Sequence, residues 1–389
     1  VSTDSKLLID MAYTLGAAFL GALLATALKQ SVIVGYVLAG VAVGPFTPGF
    51  VADRTTMQGL ANVGIVFLLF TIGVHISPSD LFKMWRPVVV GGSIQVAVTL
   101  CLGYLLGRMV GLSGPESFVL GAAISNSSST VLGKVLSELG QQNSHAGRLA
   151  MAWSTFQDLS TLVLVVALAA VATGSSNPAD MALALARAML FLAFLVPLGA
   201  TMLPKIFNRL ARLGSRELFV LAISSLALAA AYTSQFFGVS LALGAFVAGI
   251  VVAESDLAHV VLDHIGPLRD VLSAFFFVSI GMLIDPAFLA HNFGVILIVV
   301  ATILVVKGSL VALLAAAFGF NRSTALATAV YLAQCAEFSL LLAGLGVEMG
   351  AVSTFTFSLI LTSSLVSVVI APLLARLALR VLPSPTAIR

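Results

Sequence analysis

Polar residues in this chain act as punctuation. Uninterrupted apolar stretches of about 20 residues, enough helix to cross a hydrocarbon core about 30 Å thick, recur almost from end to end. Thirteen can be counted, at 7–28, 32–43, 60–76, 87–110, 118–139, 149–172, 181–203, 217–236, 240–252, 271–284, 293–318, 324–345 and 355–382. The gaps are short and hold residues that stop helices, such as Gly44-Pro45-Phe46-Thr47-Pro48-Gly49, Ser77-Pro78-Ser79-Asp80 and Gly174-Ser175-Ser176-Asn177-Pro178. The pattern predicts an all-α polytopic membrane protein of about 13 transmembrane helices, with no room for a separate soluble domain.

Composition agrees. Of 389 residues, 60% are hydrophobic and 9% charged, against about 25% charged in a soluble domain. No basic cluster is interleaved with aromatics, so nucleic-acid binding has no support. The two cysteines, Cys101 and Cys335, lie in separate apolar runs and suggest neither a disulfide framework nor a metal site. Residues 1–10 lack the basic segment and cleavage site of a signal peptide, and the first run is expected to remain in the mature protein.

The net charge of +3 matters through its placement. With the N-terminus outside, alternate loops put Lys29, Lys83, Arg86, Arg148, Lys205, Arg209, Arg212, Arg216, Arg269, Arg322, Arg376, Arg380 and Arg389 inside, against chiefly Lys6, Arg54 and Arg108 outside. The positive-inside rule therefore predicts an external N-terminus and a cytoplasmic C-terminus.

Two segments recur at spacings that differ by a single residue. Gly35-Tyr36-Val37-Leu38-Ala39-Gly40-Val41 returns as Gly244-Ala245-Phe246-Val247-Ala248-Gly249-Ile250, and Thr71-Ile72-Gly73 with its following Pro78 returns as Ser279-Ile280-Gly281 with Pro286. The offsets, 244 − 35 = 209 and 281 − 73 = 208, span seven runs. Seven is odd, so the related segments cross the membrane in opposite senses, the inverted-topology repeat of secondary transporters.

Such transporters build their sites from discontinuous helices. Ser125-Asn126-Ser127-Ser128-Ser129-Thr130 interrupts the fifth run with six side chains that compete for backbone hydrogen bonds. Gln334-Cys335-Ala336-Glu337-Phe338-Ser339 interrupts the twelfth, and 334 − 126 = 208 aligns Gln334 with Asn126. Two crossed, broken helices are expected there.

Asp158 stands near the middle of the sixth run. Burial in hydrocarbon costs it at least about 2.5–3.5 kcal/mol, which marks it as functional. Lys307, mid-way along the eleventh run, needs an anion or a wet cavity, and Asp158 is its expected salt-bridge partner. Hydroxyls and carbonyls of Ser127, Ser128, Ser129 and Thr130 are candidates to complete an oxygen shell for a hard monovalent cation. Glu337 either binds ions or caps the half-helices, and Lys134 is placed to neutralise a half-helix end. One carboxylate cannot hold a proton and a metal cation together. Competition at a site exposed alternately to each side gives exchange.

Together Gln157-Asp158, the break at Ser125–Thr130, Lys307, Gln334 through Phe338, the turn at Gly40 to Pro45 and Phe67-Leu68-Leu69-Phe70-Thr71-Ile72-Gly73 resemble the monovalent cation:proton antiporters of the Kef type. The resemblance implies a sodium/proton antiporter-like fold in two parts. Residues 1–84 and 215–290 would be a dimerisation scaffold of a homodimer, 85–173 and 291–382 a mobile core, and 174–214 a linker helix and basic loop. It further implies potassium/proton exchange at Asp158 and Gln157, in a bacterial inner membrane. Sodium/proton exchange, a gated potassium channel and a sodium-driven symporter of organic anions are the alternatives. No cofactor or enzymatic activity is expected, only the transported cation and proton. Kef-type proteins usually continue into a nucleotide-binding regulatory domain, and no Gly-rich fingerprint for one occurs before Arg389.

Overall fold

A computed structural model describes residues 3–28, 30–47, 54–75, 85–172, scattered positions between 186 and 209, 215–237, 241–253, 255, 258–335 and 337–381. The expected run at 181–203 and the basic loop at 205–216 fall largely outside the described residues. Every regular element described is helical.

In chain order these are α1 (Thr3–Ala27), α2 (Val32–Val43), α3 (Arg54–His75), a wide π-type turn (Arg86–Val90) running into α4 (Gly91–Met109), α5 (Gly114–Ser125), α6 (Ser129–Glu138) and α7 (His145–Ala172). There follow α8 (Arg216–Phe236), α9 (Leu241–Ala253), α10 (Ala258–Gly281), the short α11 (Pro286–His291) and α12 (Phe293–Ala301). A second π-type stretch (Thr302–Lys307) leads into α13 (Gly308–Ala317), then α14 (Arg322–Leu332), α15 (Glu337–Glu348) and α16 (Thr354–Val381). Among the described residues, six helical stretches have the length and apolarity to cross a membrane. One expectation is corrected: the segment between the apolar runs 240–252 and 271–284, with His259, Asp263, His264 and Arg269, is largely helical and lies inside α10 from Ala258 onward. Charges in the membrane-flanking turns of a helix leave its backbone ladder intact.

The chain forms two compact units. The first comprises Val1–Leu24, Gly35–Pro78 and Ser176–Leu283. Its helices meet where side chains are missing. A Cβ on Gly73 of α3 would lie 2.3 Å from the Phe246 carbonyl oxygen, and one on Gly249 of α9 would lie 2.1 Å from the Phe70 carbonyl oxygen. Gly281 of α10 and Gly40 of α2 repeat the arrangement, against the carbonyls of Val37 at 2.1 Å and Val278 at 2.2 Å. Small residues let membrane helices approach backbone to backbone. The offsets 249 − 40 = 209 and 281 − 73 = 208 exchange the two contacts, so the sequence repeat is also a repeat of packing.

The second unit comprises Ala25–Val34, Ser79–Ser175 and Ile284–Arg389. The repeat reaches its turns too. Gly111 and Gly319, 208 residues apart, take φ of +86° and +88°, a conformation open to glycine at little cost. Each is followed two residues later by a helix N-cap. Ser113 accepts from the Glu116 N–H and starts α5, and Asn321 accepts from the Thr324 N–H at 2.8 Å and starts α14.

Candidate functional site

Both expected interruptions are breaks. Helix α5 ends at Ser125, Asn126 is extended (φ −91°, ψ 151°), and α6 begins at Ser129 with Ser128 as its N-cap, its hydroxyl accepting from the Val131 N–H at 3.1 Å. Helix α14 ends at Leu332 and α15 begins at Glu337. The two breaks are fastened to each other. Ser128 donates its N–H to Gln334 Oε1 at 3.1 Å, and Gln334 Nε2 returns a bond to the Ser128 carbonyl at 3.0 Å. Ser127 Oγ donates to the Leu332 carbonyl at 2.8 Å, and Ser339 Oγ to that of Ala123 at 2.6 Å.

A helix C-terminus leaves carbonyls unpaired and carries the negative end of the helix dipole. Two such ends, of α5 and α14, converge here. Lys307 answers both: its ammonium donates to the Asn126 carbonyl at 2.6 Å and the Gln334 carbonyl at 2.9 Å. Where the sequence reading offers Asp158 as the partner of Lys307, the structure gives the ammonium these two backbone oxygens. Lys307 is fully buried and closes the π-type stretch Thr302–Lys307, a wide helical turn often found at functional positions.

Helix α7 lies along the first break. Ser154 Oγ donates to the Ser127 carbonyl at 3.1 Å, Gln157 Oε1 accepts from the Ser127 N–H at 2.9 Å, and Thr161 Oγ1 accepts from Asn126 Nδ2. Asp158 is four residues after Ser154 and three before Thr161, hence on the helix face that these bonds turn toward the break. It is 3% exposed. Thr161 donates its one proton to the Gln157 carbonyl at 3.1 Å, so it must accept from Asn126, which fixes the orientation of that amide. Asn126 Oδ1 is then a buried oxygen with no hydrogen-bond donor among the described residues.

The sodium/hydrogen exchanger (transmembrane) family matches this chain over residues 15–380. The chain belongs to that family. It is 38% identical over 366 residues to the cation/proton antiporter YbaL of Escherichia coli (strain K12), covering 92% of this chain and 66% of the relative. It is 36% identical to the K(+) efflux antiporter KefB of Alkalimonas amylolytica over 88% of this chain and 52% of that one. With the K(+) efflux antiporter 4 of Arabidopsis thaliana the identity is 31%, over 96% and 64%. The chain thus spans about half to two thirds of the length of these curated relatives. Among solved structures, the sodium proton antiporter MjNhaP1 of Methanocaldococcus jannaschii superimposes with a TM-score of 0.75 at 20% identity, over 96% of this chain and 99% of that one. The likeness shows the fold, and the family match makes the chain an integral membrane transporter.

Within this exchanger fold the expected site residues divide. Asn126, Ser127, Ser128, Gln157, Asp158, Lys307 and Gln334 come together at the crossing, and all are buried. Ser127 and Ser128 use their hydroxyls to fasten the breaks and cap α6. Ser129 and Thr130 belong to the first turn of α6, with Thr130 exposed. Glu337 is the first residue of α15, and its side chain lies outside the described set. Lys134 donates to the Gln30 carbonyl, where the sequence reading assigned it to a half-helix end.

Four further residues were missed. Gln95 and Thr99 of α4, both fully buried, join Ser154 and Thr161 of α7 at the first break. Each has the ordinary sequence appearance of a polar contact between membrane helices. Only the four-then-three spacing of Ser154, Asp158 and Thr161, which keeps them on one face of α7, offered a signal.

Proposed function

We propose that this chain is the transport part of a monovalent cation:proton antiporter, with Asp158 as the site that cation and proton share in turn. One observation carries the reading: the turn of α7 that holds Asp158 is bonded on both sides to a broken helix, beside two helix ends whose carbonyls are held by one buried ammonium. A carboxylate in such a place is neutralised by a proton or by a metal cation, and not by both. The free Oδ1 of Asn126 and nearby backbone carbonyls offer the hard oxygen ligands that a monovalent ion takes. Lys307 links the two breaks through its bonds to the Asn126 and Gln334 carbonyls.

Potassium is the proposed cation, from the Gln157-Asp158 pair and from relatives that bear the name of K(+) efflux antiporters. Residues 85–173 and 291–382 are proposed as the mobile core, and residues 1–84 and 215–290 as the dimerisation scaffold. The N-terminus is placed outside and the C-terminus in the cytoplasm of a bacterial inner membrane, as the loop charges require. In proteoliposomes with a luminal pH dye, added external potassium should drive protons out and raise luminal pH. A response to sodium with none to potassium would overturn the choice of cation, and flux at channel rates would overturn exchange.

A further inference from the structure

In the first break, the backbone passes from Ser125 at the end of α5 to Ser127 without the hydrogen bonds that a continuous helix would supply. Two side-chain amides supply them. The Ser127 N–H donates to Gln157 Oε1 at 2.9 Å, Gln157 Nε2 donates to Gln95 Oε1 at 2.6 Å, and Gln95 Nε2 donates to the Ser125 carbonyl at 3.0 Å and to Thr99 Oγ1 at 2.8 Å. Thr99 donates its own proton to the Gln95 carbonyl. Its oxygen must therefore accept, which orients the Gln95 amide and, through it, the Gln157 amide. The bracket starts and ends on the residues flanking Asn126, and Gln157 precedes Asp158.

From this we infer that Gln95 is a positioning residue for the cation site, acting together with Gln157 as one bracket across the break. The pair holds the Asn126 segment at a fixed distance from Asp158 and so sets how well the oxygen shell is formed before the ion arrives. Preorganisation of this kind appears in affinity. The bracket also gives glutamine at both positions a physical reason: asparagine is one methylene too short, a carboxylate cannot pass on the donor, and an aliphatic side chain leaves an N–H and a carbonyl buried and unpaired. Gln157 serves here as a strut more than as a cation ligand. The inference rests on Asp158 being the shared site.

The test is a double-mutant cycle in potassium-driven proteoliposome exchange, reading apparent KM and maximal rate separately. Gln95→Leu and Gln157→Leu should each raise KM for potassium about tenfold, equivalent to about 1.4 kcal/mol, and by more than they lower the maximal rate. The double variant should be no worse than either single one, because the bracket is lost once. Additive losses, or an unchanged KM in Gln95→Leu, overturn the inference. Should that variant fail to fold, Gln95→Glu is read across pH. Its KM relative to the unaltered protein should return toward unity in acid, where the protonated carboxyl again donates, and a ratio independent of pH overturns the inference. Exchange by the unaltered protein that is lost in Asp158→Asn establishes the underlying reading separately, and absence of any exchange by the unaltered protein removes both.

Discussion

Lys307 donates to the carbonyl of Asn126 at 2.6 Å, and by its second bond to Gln334 it joins the C-terminal ends of two half-helices that lie in opposite repeats. Its removal leaves two buried carbonyls unpaired, each costing about 1–3 kcal/mol. Lys307→Met should lower the melting temperature in detergent by several degrees and abolish exchange. A full melting temperature in this variant would show that other groups hold the breaks.

Gln334 pairs both of its amide groups with the backbone of Ser128. Gln334→Glu keeps the acceptor for the Ser128 N–H and loses the donor to its carbonyl, whereas Gln334→Leu loses both. Thermal stability should fall in the order unaltered protein, Glu, Leu, with the last step about 1–3 kcal/mol. Equal melting temperatures for the two variants would contradict the two-point pairing.

Close backbone approach in the first unit makes a symmetric prediction. Gly73→Ala and Gly281→Ala place a methyl 2.3 Å and 2.1 Å from carbonyl oxygens, and each should destabilise by about 1–3 kcal/mol. Gly16 of α1 has nothing within 4 Å of its Cβ direction. Gly16→Ala should be neutral or stabilise by up to about 1 kcal/mol through helix propensity. Thermal unfolding of the three variants side by side checks this.

Glu116 ties the start of α5 to the start of α16. One oxygen accepts from the Ser353 N–H at 3.2 Å, from the Ser353 hydroxyl and from Thr356 Oγ1 at 2.9 Å, while the other completes the capping box with Ser113. Glu116→Ala should cost about 0.5–2 kcal/mol as a lost cap, with hydrogen exchange accelerated at residues 113–117 and 353–357. Exchange rates unaltered at the α16 end would show that the tie carries no load there.

What the sequence displays depends on which atoms do the work. The breaks at Ser125–Thr130 and Gln334–Ser339 were legible because consecutive polar side chains have no other place in an apolar run, and the glycine segments were legible as a repeat, though not as the backbone contacts they make. The partners of Lys307 were not, since main-chain carbonyls leave no mark in a sequence; a buried lysine advertises only that it needs an anion. Gln95 was hidden for a related reason. A single amide between Ile94 and Val96 looks like packing, and its meaning comes from Gln157, 62 residues away.

The central claim is that Asp158 binds cation and proton in turn. The direct measurement is potassium-driven proton efflux from proteoliposomes holding the purified protein, compared with Asp158→Asn reconstituted at equal density. The account predicts a rise of luminal pH on adding potassium to the unaltered protein and none above protein-free vesicles for the variant. Potassium-driven exchange that persists in Asp158→Asn would contradict it.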